Sequence, residues 1–259
     1  MAFEEAGIDI IEALSAPNIT YAVDGMRFIG NPLRDDFTSL SISIQNLYVQ
    51  NAIGNFLEFI VFVFCTLLFG IYSSYIAVYD YKFKTFKFKR VKNSHIEMFL
   101  GKLLSIVIVM VSTILFSALV VGIGSIAVRN FLVTQVPIGD FAINIFNYER
   151  GLIIQFSLSF LVILFYIALG FSIAVIFKNM ILSTILLLVY GLLLPILGAY
   201  DFRNIISYFS HQTFAFTGRF VMFHPSVINP YVGILFLVLT FVSLLALSMG
   251  ILMKRSSYD

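Results

Sequence analysis

The chain has 259 residues, of which 60% are hydrophobic and only 12% charged, with a mean hydropathy of +0.98 and a formal net charge of +2. Soluble domains carry roughly 25% charged residues and roughly 45–50% apolar ones. A water-soluble globule of this size cannot hide so much apolar surface in one core, whereas a bilayer solvates it. The first 15 residues are acidic and lack an apolar stretch long enough for a secretory signal. Residues 1–54 carry Glu4, Glu5, Asp9, Glu12, Asp24, Asp35 and Asp36 against Arg27 and Arg34. They read as an acidic extracytoplasmic segment in which Ile8–Leu14 could form a short amphipathic surface helix.

Five apolar runs follow, at roughly 55–79, 103–128, 152–177, 180–200 and 230–252, each near the ~20 residues that a helix needs to cross hydrocarbon. Barrel strands would alternate over segments of about 10 residues. These runs are continuous, so the expected fold is an all-α integral membrane protein with about five transmembrane helices, its membrane domain covering 55–259. The lone cysteine, Cys65, sits inside the first run and reads as a buried structural thiol, because no disulfide partner or Cys/His metal spacing exists.

The segment between the first two runs, 80–102, holds Lys82, Lys84, Lys87, Lys89, Arg90, Lys92 and Lys102. Lys and Arg favour the cytoplasmic side of a membrane, so this loop is expected inside. Alternation then places the tight turn at Lys178 and the tail with Lys254 and Arg255 inside as well. All eight lysines fall on that side, and Arg27, Arg34, Arg129, Arg150, Arg203 and Arg219 on the other. Within the loop, lysines interleave with Phe83, Phe86 and Phe88. Ser94 and Glu97 have the Ser-x-x-Glu spacing of a capping box, so a helix should start near His95 and run into the second span. The loop has two readings. One is a juxtamembrane basic segment that sets topology and touches anionic lipid. The other is a docking element for a cytoplasmic partner.

Residues 129–151 form an outer loop. In the fourth run, Gly191 and Pro195 permit a bend, since proline removes a backbone donor and clashes with the preceding turn. Residues 201–229 are too few for a domain and rich in aromatics (Phe202, Tyr208, Phe209, Phe214) with Arg203 and Arg219. They read as short helices lying in or dipping into the outer interface.

Catalytic patterns are missing. There is no HExxH pair, no Gly-x-Ser-x-Gly elbow and no GxxxxGK[ST] loop to hold ATP phosphates. His95, His211 and His224 lie far apart in sequence. Glu58 is the ionisable group set well within an apolar run; such a group is a functional candidate, although its place near the outer end of the helix brings water close.

In order, the chain shows a span, the acidic Asp80, a basic loop, Ser94, and a Gly101-Lys102-Leu103-Leu104 start to the next span. This layout resembles the permeases of type-2 ABC transporters, the ABC-2 family. Asp80, Ser94 and Lys102 match that pattern, His95 stands where the family has arginine, and a Gly-Thr pair after the acidic residue is missing. The resemblance implies an outer hairpin region before the last span and a short basic tail, both present in layout. It also implies six spans, so residues 1–54 would match the outer loop after a first span that is not seen, unless this is a five-span variant. It further implies a non-enzymatic transport subunit of the bacterial plasma membrane with a cytoplasmic C-terminus. Its partners would be a cytoplasmic ABC ATPase dimer that binds ATP and Mg, a second permease copy or paralogue, and membrane lipid, with no nucleic acid. The ATPase-coupling interface would comprise Phe83, Lys84, Phe86, Lys87, Phe88, Arg90, Ser94, His95 and Glu97. No cofactor or metal would sit on this chain, and the cargo would be an amphiphile such as a peptide, antibiotic or lipid. The alternatives are a membrane scaffold or sensor, and an intramembrane enzyme, for which the spans offer almost no convergent polar residues.

Overall fold

The computed structural model describes residues 19–21, 27–29, 32–64, 66–83, 94–135, 151–214, 216 and 222–256. The chain divides into two compact units, residues 1–52 with 122–147 and residues 53–121 with 148–259. The first unit holds a short antiparallel hairpin, β1 (Ile19–Tyr21) and β2 (Arg27–Ile29), with Thr20 opposite Phe28. This is the one departure from an all-helical fold among the described residues.

Helix α1 (Pro32–Gln45) follows. Proline at its first turn lacks only an N–H that a helix leaves unpaired there. The chain turns through Asn46–Tyr48, where the Leu47 N–H donates to Ile44 O at 3.1 Å and the Asn51 side chain donates to Gln45 O at 2.9 Å. The Arg129 guanidinium lies 4.3 Å from the Tyr48 ring centroid. Helix α1 was not foreseen, and the suggested surface helix at Ile8–Leu14 lies outside the described residues.

The first expected span, 55–79, is not one uniform helix. Helix α2 (Val49–Phe59) starts earlier than expected. It passes into two π-helical stretches, Ile60–Phe64 and Thr66–Gly70, and then α3 (Ile71–Lys82). Cys65, between the two stretches, lies outside the described residues. The second run lies in α4 (His95–Gln135), which extends well past the expected 103–128 at both ends. The third matches α5 (Leu152–Phe177).

Helix α6 (Met180–Leu188) continues as a π turn, Val189–Leu193. The helix stops there. Leu194 is extended (φ −70, ψ 136), as expected for the residue before Pro195. Helix α7 (Phe202–Thr213) supplies a short helix in the 201–229 segment, and α8 (Pro230–Ser256) closes the chain.

Among the described residues, three helices are long and apolar enough to cross a membrane: Ile96–Gln135, Leu152–Phe177 and Pro230–Lys254. The protein is therefore a helical, multi-pass membrane protein. The 14-residue helix Met180–Leu193 falls short of that length, and the pair Asp36–Gln45 plus Val49–Phe64 passes only when joined.

Helix α5 is the centre of the second unit, with α3, α6, α7 and α8 packed on it. Lipid tails are as apolar as leucine, so small residues and interhelical hydrogen bonds must drive association. Both appear where α3 crosses α5. A Cβ at Gly170 would stand 2.6 Å from Ser73 Oγ, so only glycine fits. That contact lets the Ser74 hydroxyl reach Gly170 O (3.1 Å) and Ser183 Oγ (2.8 Å), which knots α3, α5 and α6 together. Further along, the Ser248 hydroxyl donates to Ser172 Oγ at 2.7 Å, and the Ser172 hydroxyl can reach Leu244 O at 3.0 Å, joining α8 to α5. Beside these polar contacts, Ile163, Ile167, Phe171 and Leu187 are fully buried, with Met110 from α4.

Candidate functional site

The end of α3, the start of α4 and the turn between α5 and α6 converge. Asp80, in the last turn of α3, is 1% exposed. Its Oδ2 accepts from Lys102 Nζ at 2.9 Å, and the same ammonium donates to Ala77 O at 3.2 Å. A carboxylate this deep needs a cation and hydrogen bonds to remain charged. Lys102 supplies both from the second turn of α4, and in doing so ties together the two helices that bracket the basic loop.

Two local devices fix the edges of this joint. The Ser94 N–H donates to Glu97 Oε2 at 2.8 Å, and the Glu97 N–H donates to Ser94 Oγ at 3.3 Å, so the expected capping box forms and α4 begins at His95. At the neighbouring turn, Lys178 takes the left-handed conformation (φ 52) and its N–H donates to Ala174 O. Asn179 then caps α6 by accepting from the Ile181 and Leu182 N–H groups. This reversal carries Lys178 Nζ to 5.2 Å from the Tyr81 ring centroid. Lys82, Lys102 and Lys178 thus gather around the C-terminus of α3, where a helix dipole favours cations.

Among the expected coupling residues, Phe83 ends α3. Its N–H donates to Tyr79 O at 3.1 Å, and its half-exposed ring rests on Tyr79 with centroids 4.7 Å apart. Ser94 and Glu97 form the box, and of His95 only the backbone is described. Lys84, Phe86, Lys87, Phe88 and Arg90 lie outside the described residues. Sequence reasoning placed Asp80 and Lys102 in a pattern without pairing them. The signal was a lone Asp closing one apolar run and a Lys opening the next.

Glu58 is elsewhere, on α2. It is 2% exposed, and its Oε1 accepts from the Phe216 N–H at 3.2 Å. The segment after α7 folds back over it, and Phe62 packs against both Phe214 and Phe216.

A second buried acid–base pair organises the chain before α7. Asp201 accepts from Arg203 Nη2 at 2.8 Å, from the Leu197 N–H at 2.9 Å, from the Arg203 N–H at 3.0 Å and from the Tyr190 hydroxyl at 3.1 Å. Burial opposes ionisation of this carboxyl. The hydrogen bonds from the Arg203 side chain, the two backbone N–H groups and Tyr190 together outweigh it and lower its pKa from 3.8 to about 2. The hydrogen bond to Asp201 in turn raises the pKa of Arg203. The guanidinium also donates to Leu194 O and to Pro195 O (2.6 Å), so it satisfies carbonyls freed where the π turn stops. A cavity of about 230 Å³ lies beside it, between Val61, Phe62, Tyr166 and Gly191.

Among the described residues, no group of three or more His, Cys, Asp or Glu side chains is placed to hold a metal ion. No family model matches this chain, and comparisons with curated proteins and with solved structures likewise find no match.

Proposed function

We propose that this chain is the permease subunit of an exporter driven by a separate ATPase, with the lysine-rich end of α3 facing the cytosol. The observation that carries the reading is the buried Asp80–Lys102 pair, 2.9 Å long, which clamps the two helices on either side of the basic loop. A loop that receives force from a motor needs stiff anchorage at both ends, or the motion dissipates in the hinge. The ion pair anchors the helices, and the Ser94–Glu97 box stiffens the point where the loop becomes α4. Phe83, exposed at the rim, begins the apolar and basic surface that would meet the partner.

On this reading the membrane is crossed five times. The α2–α3 succession makes the first crossing, and α6 with its π turn makes a short fourth one. The fourth is completed by residues 194–200, and α7, beyond the span, dips into the outer interface. Residues 1–54 then lie outside and the Lys254–Arg255 tail inside, in the plasma membrane of a bacterium. A second permease copy or a paralogue completes the path, the partner ATPase dimer holds ATP and Mg, and the cargo is an amphiphile.

The test is affinity purification from native membranes, followed by mass spectrometry for a protein carrying a GxxxxGK[ST] loop. Such an ATPase should accompany the wild-type chain and be lost when Phe83, Phe86 and Phe88 are changed to Ser. A cysteine placed at Lys87 should be shielded from membrane-impermeant maleimide in intact cells. Labelling there, or an ATPase that remains bound to the triple variant, overturns the reading.

A further inference from the structure

A guanidinium carries five N–H donors and accepts nothing, so a buried arginine needs an acceptor for each. Arg203, at the start of α7, is 8% exposed. Its Nε–H donates to Asp201 Oδ1 at 3.4 Å. The Nη2 hydrogens go to Asp201 Oδ2 at 2.8 Å and to Pro195 O at 2.6 Å, and one Nη1 hydrogen goes to Leu194 O. The second Nη1 hydrogen has no acceptor among the described residues. A buried donor that has given up its water without a replacement is costly, so this one calls for an acceptor that the chain itself does not supply.

Among the described residues that line the cavity of about 230 Å³, Arg203 alone is charged. Val61 and Phe62 come to it from the first π stretch, Tyr166 from α5, Ile206 from α7, and Met222 and Phe223 from the segment beyond α7. An apolar cavity of about 150 Å³ holds one benzene, and in proportion this one takes a molecule of about ten non-hydrogen atoms. Water would fill it with about seven molecules at ~30 Å³ each, and each wants two to four polar partners. The side chains of Val61, Phe62, Ile206 and Phe223 offer none. The charge of Arg203 is already met, since Asp201 lies at 2.8 Å. A carboxylate in the cavity would put a second anion on one cation, and an ammonium would be repelled by the guanidinium. A neutral molecule with an acceptor remains, and a flat ring suits walls that carry Phe62, Tyr166 and Phe223.

We propose that this cavity binds a neutral, ring-sized carbonyl compound, an aryl ketone or ester, whose oxygen accepts the spare N–H of Arg203. The site stands on the cavity and on that donor, and does not depend on the ATP-driven reading. Fluorine NMR of the protein purified in detergent tests it with two probes of one outline, para-fluoroacetophenone and para-fluoroethylbenzene. The second carries a methylene in place of the carbonyl. Binding is read as the saturable shift beyond that in protein-free micelles, which removes partitioning into detergent. The ketone should bind about tenfold more tightly than the hydrocarbon, the ratio that one buried hydrogen bond from a charged donor confers. Met222→Trp puts an indole into the cavity from its wall. It should abolish saturable binding of both probes while the melt stays close to wild type. Arg203→Lys keeps a cation beside Asp201 but loses the planar fork of donors. Where its melt shows a folded protein, the two probes should bind it within about twofold of each other. Equal affinities in the wild type, or ketone binding that survives Met222→Trp, would overturn the proposal. No saturable binding of either probe would also overturn it and assign the cavity to water.

Discussion

Two buried acid–base pairs among the described residues work over different distances in the chain. Asp201 and Arg203 are two residues apart and serve one turn. They gather the carbonyls of Leu194 and Pro195, the Leu197 N–H and the Tyr190 hydroxyl into a local network. Asp80 and Lys102 sit on different helices with the whole basic loop between them. The local pair shapes a segment, whereas the distant pair joins two helices into one body. Removing either partner leaves a charge in a poor solvent, but only the second removal also frees a loop.

The largest effect should come from Lys102→Met. It takes the ammonium away from the Asp80 carboxylate, which is 1% exposed, and breaking a buried pair from one side costs about 3–5 kcal/mol. A fluorescence melt in detergent should show a large loss, and hydrogen exchange should rise on both sides of the loop, at residues 77–82 and 95–102. The double variant Asp80→Asn, Lys102→Met removes both charges and should recover most of the loss, because the cost lies in a buried charge that has lost its Lys102 counter-charge. If the single and double variants melt alike, the pair is not the clamp described here.

Asp201→Asn should cost less, about 1–3 kcal/mol for hydrogen bonds to a charged acceptor, and the damage should stay local. Exchange should quicken at the Leu197 and Arg203 amides and remain unchanged at Lys102. Spread of the effect to the basic end would erase the contrast between the two pairs. Acid should act on the same group. A carboxyl held at about 2 when folded, against 3.8 ordinarily, contributes stability that is complete above pH 4 and fades as the pH falls toward 2. Between those values the wild type should lose more of its melting temperature than Asp201→Asn does.

What the sequence made legible follows the same division between local and distant. The Ser94–Glu97 box and the turn at Lys178 depend on neighbours in the chain, and both were readable from residue types alone, whereas at Pro195 a bend within a span of 180–200 was expected and the helix instead ends at Leu193. The lengths of the apolar runs gave α5 and α8 closely. The Asp80–Lys102 pair was not readable, because spacing does not say which helices will touch. The π stretches at Ile60–Phe64 and Thr66–Gly70 escaped for another reason, since an apolar run looks the same whether it winds as α or π. Helix α1 was missed because Arg34, Asp35 and Asp36 made its start look like a polar loop, and the search was for apolar length.

The smallest effect should be that of Ser94→Ala, and it separates stiffness from stability. Losing an N-cap side chain costs about 1 kcal/mol, which hardly moves a melt. The N-terminal amides of α4, from Ile96 to Met98, should nonetheless exchange faster, since Glu97 loses the hydroxyl that receives its N–H at 3.3 Å. Lys102 is still bonded to Asp80 in this variant, so the clamp holds while the loop's exit becomes soft. If the basic end serves only to hold two helices together, Ser94→Ala should behave as wild type in every assay except exchange at the cap. If it transmits force from a partner, the same 1 kcal/mol should cost more in coupled ATP hydrolysis than in melting temperature, because compliance at the loop's exit is lost motion. Thr could replace Ser94 as the rescue, since its hydroxyl caps nearly as well.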